Sequence, residues 1–227
     1  MKPRRVLRIY ERLSGAYGTQ HWWPGETPFE VMVGAVLTQN TAWTNVERAI
    51  GNLRSAGVLA PEPLAALPLA GLAALIRPAG YFNVKARRLH NFCVWYLEAG
   101  GFRALERWET AALRHALLGV NGVGPETADD ILLYAFGRPV FVIDAYTRRL
   151  FRRLGAEQTD DGYETLRHWF ESRLAPDVAL YNEYHALIVH HAKHVCRSRP
   201  LCRGCCLARL CPSAGQAESW APAAPSP

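Results

Sequence analysis

Four cysteines decide how this chain must end. Cys196, Cys202, Cys205 and Cys211 stand in the spacing C-x5-C-x2-C-x5-C, all within sixteen residues. Four thiolates this close in sequence suit one compact centre, either a [4Fe–4S] cluster or a zinc ion. Zinc ribbons and fingers usually pair two C-x2-C knuckles across a longer loop, and only one such knuckle exists here. The spacing therefore points to iron–sulfur. A disulfide-rich tail is the alternative, and it needs an oxidising compartment. The N-terminal stretch MKPRRVLRIYERL is broken by charge before a secretory apolar core forms, so the chain reads as cytoplasmic, nucleoid-associated if bacterial. Cys206 is a bystander beside a ligand, and Cys93, in LHNFCVWYL, reads as a core residue. Arg197, Arg199, Arg203 and Arg209 surround the four thiols, placed to balance the charge of the centre or to meet phosphates.

The rest of the chain is helical in pattern. Apolar residues recur at helical spacing over about 43–56, 84–99, 109–118, 125–136, 145–154, 161–174 and 177–194, and no stretch alternates as a strand does. The clearest start is ETPFEVMVGAVLTQNT: Thr27 as N-cap, Pro28 in the first helical position and Glu30 completing a capping box. Val31, Met32, Ala35 and Val36 form its buried face. Two short helices punctuated by prolines fill LAPEPLAALPLAGLAALIRPAG. The tail SAGQAESWAPAAPSP, small, polar and proline-rich, reads as disordered over 213–227. No apolar run approaches the ~20 residues of a membrane span. At 227 residues the chain has room for one or two domains with real cores. The fold class is all-α.

GVNGVGPETADD, residues 119–130, joins two of these helices. Leu117 and Leu118 close the first, and Ile131, Leu132 and Leu133 anchor the second. Gly122 and Gly124 allow positive φ and close backbone approach. Pro125 suits the first turn of the following helix, leaving N–H groups and the positive end of its dipole facing outward. A duplex phosphate can dock on such a turn without reading sequence; a plain glycine turn between packed helices is the bland alternative. The net charge of +6 and the pI of about 9.1 fit an anionic partner.

The hairpin, then FVIDAYTRRLFRRLG, then a four-cysteine loop: this order resembles the endonuclease III superfamily of helix–hairpin–helix DNA glycosylases. The resemblance runs from about Tyr10 to Cys211. That family usually spaces its cysteines C-x6-C-x2-C-x5-C, one residue more in the first gap than here. The resemblance implies two helical domains flanking a DNA-binding groove. One is a six-helix barrel over 28–138 with the helix–hairpin–helix at about 113–136. The other joins 1–27 to 139–212 and carries a [4Fe–4S] cluster on Cys196, Cys202, Cys205 and Cys211. It also implies that Asp144, eighteen residues after Glu126, is the catalytic aspartate, and that Gln39 and Tyr81 probe the damaged site. Their ordinary alternatives are an N-cap for Asp144, a helix-end cap for Gln39 and a loop aromatic for Tyr81.

In that superfamily the hairpin carries a lysine nucleophile two residues after its last glycine, and here that place holds Glu126. A carboxylate forms no imine. The three lysines of the chain are Lys2, Lys85 and Lys193, none of them in the hairpin. What remains needs only a carboxylate and water, with Asp144 activating the water or stabilising the sugar cation. The chain thus reads as a monofunctional glycosylase acting as a monomer on damaged double-stranded DNA. The adenine-mismatch branch also lacks the lysine, but its acid falls here on Ala35. Without an acid, the natural substrates are bases that already leave well, such as 3-methyladenine and 7-methylguanine. PETADDILLYAFGRPVFVIDAYTRR is similar to the methylpurine branch, and Trp22, Trp23, Trp43 and Tyr146 are candidates for stacking a cationic base. The competing readings are a pyrimidine-lesion or mismatch glycosylase with weak lyase activity, and a non-catalytic DNA-damage-binding module.

Overall fold

The computed structural model describes residues 1–22, 25–157 and 161–215. Among them there are helices and turns and no strand, as the periodicity predicts. The chain divides into two compact units: one takes the described residues of 1–22 and 139–227, the other those of 23–138.

The unit within 23–138 is built on α2, Pro28–Leu37. Every residue from Phe29 to Leu37 is buried, the signature of a helix surrounded by others. Around it lie α3 (Trp43–Ser55), α6 (Phe82–Glu98) and α9 (Pro125–Asp130), while the short helices α4 (Pro61–Ala66) and α5 (Leu69–Leu75) lie against α6. Thr27 caps α2 as expected, its Oγ1 accepting from the Glu30 N–H at 3.1 Å. Glu30 does not reach back to close a capping box. Its carboxylate takes Arg54 of α3 at 2.8 and 2.9 Å, so the residue links two helices instead of closing one end. The remaining helices are α7 (Gly101–Leu105) and α8 (Thr110–Gly119). Beyond α9 the chain continues as a π-helical turn, Ile131–Ala135, where the sequence suggests one uninterrupted α-helix.

The other unit joins the amphipathic α1 (Pro3–Tyr17) to α10 (Ala145–Arg153), α11 (Tyr163–Glu171) and α12 (Val178–His194). Val6, Ile9 and Leu13 of α1 are fully buried, each contributing roughly 1.5–3 kcal/mol. The core is aromatic. Phe141 stacks on Phe170 at 4.1 Å between ring centroids, Phe151 meets Phe170 edge-on at 4.6 Å, and the buried Tyr184 donates to the Val6 carbonyl at 2.8 Å. Phe141, Val142 and Ile143 are buried in the segment leading into α10. The cysteine loop follows α12. Residues 212–215 form a further 3-10 turn, with the Ser213 hydroxyl on the Arg153 carbonyl at 3.0 Å. Ordered chain thus extends three residues into the tail expected to be disordered, and the rest of that tail lies outside the described residues. No helix among the described residues is long and apolar enough to cross a membrane.

Candidate functional site

The hairpin is the best-braced feature of its unit. Arg114 of α8 grips Asp129 of α9 through Nε at 2.6 Å and Nη2 at 3.1 Å, with the carboxylate fully buried. Between the helices Gly122 has φ +102°, and a Cβ built there would stand 2.3 Å from Arg88 Cγ. Glycine is required at this position twice over, by the backbone and by the close approach. Gly124 corrects the sequence expectation: its φ of −92° is open to any residue, and a Cβ would meet nothing within 4 Å. Its contribution is a bare approach to the first turn of α9. Glu126 stands exposed in that turn.

Gln39 is woven into the same feature. Its Nε2 donates to the Gly122 carbonyl at 3.1 Å and to Thr127 Oγ1 at 2.9 Å, and its Oε1 accepts from Arg88 Nη1. The side-chain amide is therefore engaged in bracing the hairpin, a role the sequence does not announce. Tyr81 is placed differently. It precedes α6 with φ +46°, follows Gly80 at φ +68°, and is 72% exposed. An exposed aromatic ring on a left-handed non-glycine backbone is costly, and such strain persists where the surroundings impose it. Lys85, which the sequence leaves without a role, is buried under these loops and donates to the carbonyls of Leu37 at 2.9 Å and Ala79 at 2.7 Å. Burial, helped by the charge of Arg88, pushes its ammonium down to about 8. Two of its three ammonium hydrogens are committed to these carbonyls.

Asp144 is the N-cap of α10, its Oδ1 accepting from the Thr147 N–H at 2.6 Å. That is the ordinary role for such an aspartate, and it is not the whole of it. Oδ2 lies 3.6 Å from Nε2 of His185, a buried residue of α12. Burial works to raise the Asp144 carboxyl, but His185 and the Thr147 contacts outweigh it and hold the group below the usual carboxylate value. The carboxylate is thus ionised at neutral pH and fixed by one oxygen. Trp22 packs edge-on to the His185 ring at 6.5 Å. The Lys193 ammonium lies 5.9 Å from the Trp22 ring and 5.7 Å from the Tyr146 ring, and Arg149 lies 5.1 Å from Tyr146. Asp144, Tyr146 and Trp22 therefore share one neighbourhood with His185 and Lys193, two residues that sequence spacing gave no reason to join to it. Trp43 belongs to the other unit, where its indole donates to Glu47 at 2.9 Å. Trp23 lies outside the described residues.

The four expected ligands, Cys196, Cys202, Cys205 and Cys211, line one cavity of about 380 Å³ including its open mouth. Among the described residues no three His, Cys, Asp or Glu side chains converge on a point that would hold a single ion. Donors already face the sulfurs: Arg153 Nη1 lies 3.2 Å from Cys196 Sγ, and the Leu207 N–H lies 3.4 Å from Cys205 Sγ. Arg197, Arg199, Arg203 and Arg209 are all exposed. Arg149 and Arg153 of α10 grip the start of the loop, at the carbonyls of Cys196, Arg197 and Ser198, and Arg5 of α1 grips its end at the Leu210 carbonyl. Cys206 is not part of the lining, and its sulfur stands 4.0 Å from the Tyr17 hydroxyl. Cys93 is fully buried in the other unit, its thiol pushed up to about 12 by that burial.

The model of HhH-GPD superfamily base excision DNA repair proteins matches residues 33–176. The chain is 47% identical over 213 residues to a protein of Methanocaldococcus jannaschii that carries the provisional name DNA repair glycosylase, covering 92% of this chain and 97% of that one. Endonuclease III of Sulfolobus acidocaldarius is 28% identical over 188 residues, 81% of each chain. The crystal structure of the H. pylori 3-methyladenine DNA glycosylase bound to 1,N6-ethenoadenine superposes with a TM-score of 0.75 at 29% identity, over 85% of this chain and 98% of that one. A non-covalent endonuclease III–DNA complex superposes with a TM-score of 0.83 at 21% identity, over 96% and 99%, a likeness of fold.

Proposed function

We propose a specific activity from one premise: this chain belongs to the HhH-GPD superfamily of base excision DNA repair proteins. It is a DNA glycosylase. The activity we assign it is hydrolysis of the N-glycosidic bond of a damaged base in duplex DNA, by a carboxylate and water, with no covalent amine step. The observation that carries this reading is the state of Asp144. One oxygen is held by the start of α10, and although burial opposes it, the His185 and Thr147 contacts favour the carboxylate form. A carboxylate so fixed stabilises positive charge growing on the sugar as the base departs, or takes a proton from the attacking water. Glu126, exposed where the amine of lyase-competent relatives would stand, forms no imine. The hairpin is suited to the phosphate backbone, with Gly122 making the turn and Gly124 leaving it bare.

For the substrate we propose alkylated purines, 3-methyladenine and 7-methylguanine first, a reading supported by the likeness to the H. pylori 3-methyladenine enzyme. A second reading has its own observation. The Lys193 ammonium already lies against the Trp22 and Tyr146 rings, and a cationic base would have to share those faces with it. That arrangement favours a neutral base, or a pyrimidine that leaves as an anion.

The cysteine loop fits a [4Fe–4S] cluster held by Cys196, Cys202, Cys205 and Cys211. Four thiols lining one cavity, in a spacing with a single C-x2-C knuckle, support a cluster over zinc. Bound there, the cluster would cross-link the loop through four metal–sulfur bonds.

The test is base release from methylated genomic DNA, read by chromatography, with wild type and Asp144→Asn side by side. We expect methylpurine release by wild type alone, with the variant still binding duplex. Iron-loaded protein that binds DNA and releases no methylated purine would reject the substrate, and uracil and oxidised pyrimidines would be tried next. Binding with no release from any lesion would leave only the damage-binding module.

A further inference from the structure

We propose that one face of α6, carrying Lys85, Arg88 and Asn91, is the positioning frame for the damage-reading edge, with Lys85 as its critical member. The three residues are spaced three apart and so share one side of the helix. Each holds a different loop. Lys85 takes the carbonyls of Leu37 and Ala79, two residues before Gln39 and two before Tyr81 respectively. Arg88 donates to the Gln39 side chain and packs against Gly122. Asn91 donates to the Asn121 carbonyl at 3.2 Å. The loop after α2, the turn before α6 and the hairpin are thus referred to a single rigid element.

Stability alone does not account for Lys85. A lysine only 1% exposed gives up its hydration, and an apolar side chain of similar volume often stabilises a core as well or better. What the ammonium does that an apolar chain cannot is hold two carbonyls from separate loops at one point. Just beyond each carbonyl stands a non-glycine residue in the left-handed region, Asn40 at φ +52° and Tyr81 at φ +46°. Such conformations persist where the surroundings over-determine them, and Lys85 supplies that constraint to both. Lys85 is therefore a positioning residue, acting on DNA through the loops it holds. Recognition of a damaged site depends on the relative placement of Gln39, Tyr81 and the hairpin, and the stripe fixes that placement before DNA arrives. The inference rests on the reading of this chain as a damage-specific DNA enzyme.

The test compares iron-loaded wild type, Lys85→Met, Tyr81→Ala and the double variant. Each is titrated with an undamaged duplex and with the same duplex carrying a tetrahydrofuran abasic-site analogue. Lys85→Met should reduce the preference for the analogue about tenfold, well inside the roughly hundredfold that an ångström of misplacement can cost. Affinity for undamaged duplex should stay within about threefold, because the Arg114–Asp129 pair, Arg88 and Asn91 still brace the phosphate-binding turn in this variant. Tyr81→Ala should cost a similar preference, and the double variant little more than Lys85→Met alone, since Lys85 already acts on the Tyr81 turn as well as on the loop before Gln39. Retained preference in Lys85→Met, equal losses on both duplexes, or losses that simply add would overturn the inference while leaving the glycosylase reading intact. A wild type that binds both duplexes equally would instead remove the functional reading and this inference with it. Should Lys85→Met fail to fold, Lys85→Arg keeps the charge but displaces the donors, and a wild-type preference in that variant would overturn the proposal.

Discussion

The hairpin and the cysteine loop are both short turns set on helices, and they are held in opposite ways. The hairpin is closed by groups of the chain itself: the buried Arg114–Asp129 pair, the Gln39 amide, and Arg88 and Asn91 from α6. The cysteine loop is held at its two ends, by Arg149 and Arg153 at the carbonyls of Cys196 to Ser198 and by Arg5, which donates to the Leu210 carbonyl at 2.7 Å, and between them His191 Nε2 stands 3.7 Å from Cys205 Sγ. Its middle is a cavity ringed by thiols. A hydrogen-bonded turn is complete before any ligand arrives, whereas a ring of thiols is completed by what it binds. The hairpin is thus a finished surface, whereas the cysteine loop leaves a thiol-lined cavity at its centre.

That contrast can be broken most severely at the cysteines. Cys202→Ala should lose nearly all iron and the visible absorption that goes with it, whereas Cys206→Ser, outside the ring, should keep both; iron analysis of the purified proteins decides. On the hairpin side, Arg114→Met leaves Asp129 buried without its main partner and should cost about 3–5 kcal/mol in urea unfolding, with iron content unchanged. The two glycines separate next. Gly122→Ala forces both φ and the Arg88 contact and should cost about 1–3 kcal/mol, while Gly124→Ala should stay within about 0.5 kcal/mol. The smallest expected effect concerns acid. The Asp144 carboxyl is lowered in the folded protein, so its contribution is present above the unfolded value of about 3.9 and fades as pH falls through the lower folded one. Urea titrations at neutral and strongly acidic pH should show the stability gap between wild type and Asp144→Asn narrowing toward acid.

The sequence carries the helices well because their apolar residues keep a 3.6-residue period, and Thr27 before Pro28 marks the start of α2 with an N-cap. It carries less wherever a side chain chooses among distant partners. Glu30 sits three residues from Thr27, in register for a capping box, yet Arg54, twenty-four residues on, takes its carboxylate. Lys85 reaches Leu37 across forty-eight residues, and nothing local distinguishes it from a surface lysine. His185 lies in a helix whose other buried residues are mostly apolar, and only the packing brings it to Asp144. Gly124 misleads in the other direction: it stands in a glycine-rich turn, but the turn needs positive φ at Gly122 alone. Asp144 and the four cysteines could be singled out from the sequence because the resemblance and the cysteine spacing fix their order along the chain. The residues that set their geometry could not, because they belong to other helices.

The central claim is that Asp144 acts with water and without an amine. The most direct measurement follows one lesion-bearing duplex in a single-turnover reaction, scoring base release and the covalent adduct trapped by borohydride in the same samples. Base release by wild type is expected, with a roughly hundredfold or greater loss in Asp144→Asn and no trapped adduct from either. A borohydride-trapped adduct forming as fast as the base is released would contradict the claim and send the search for the amine to Lys193.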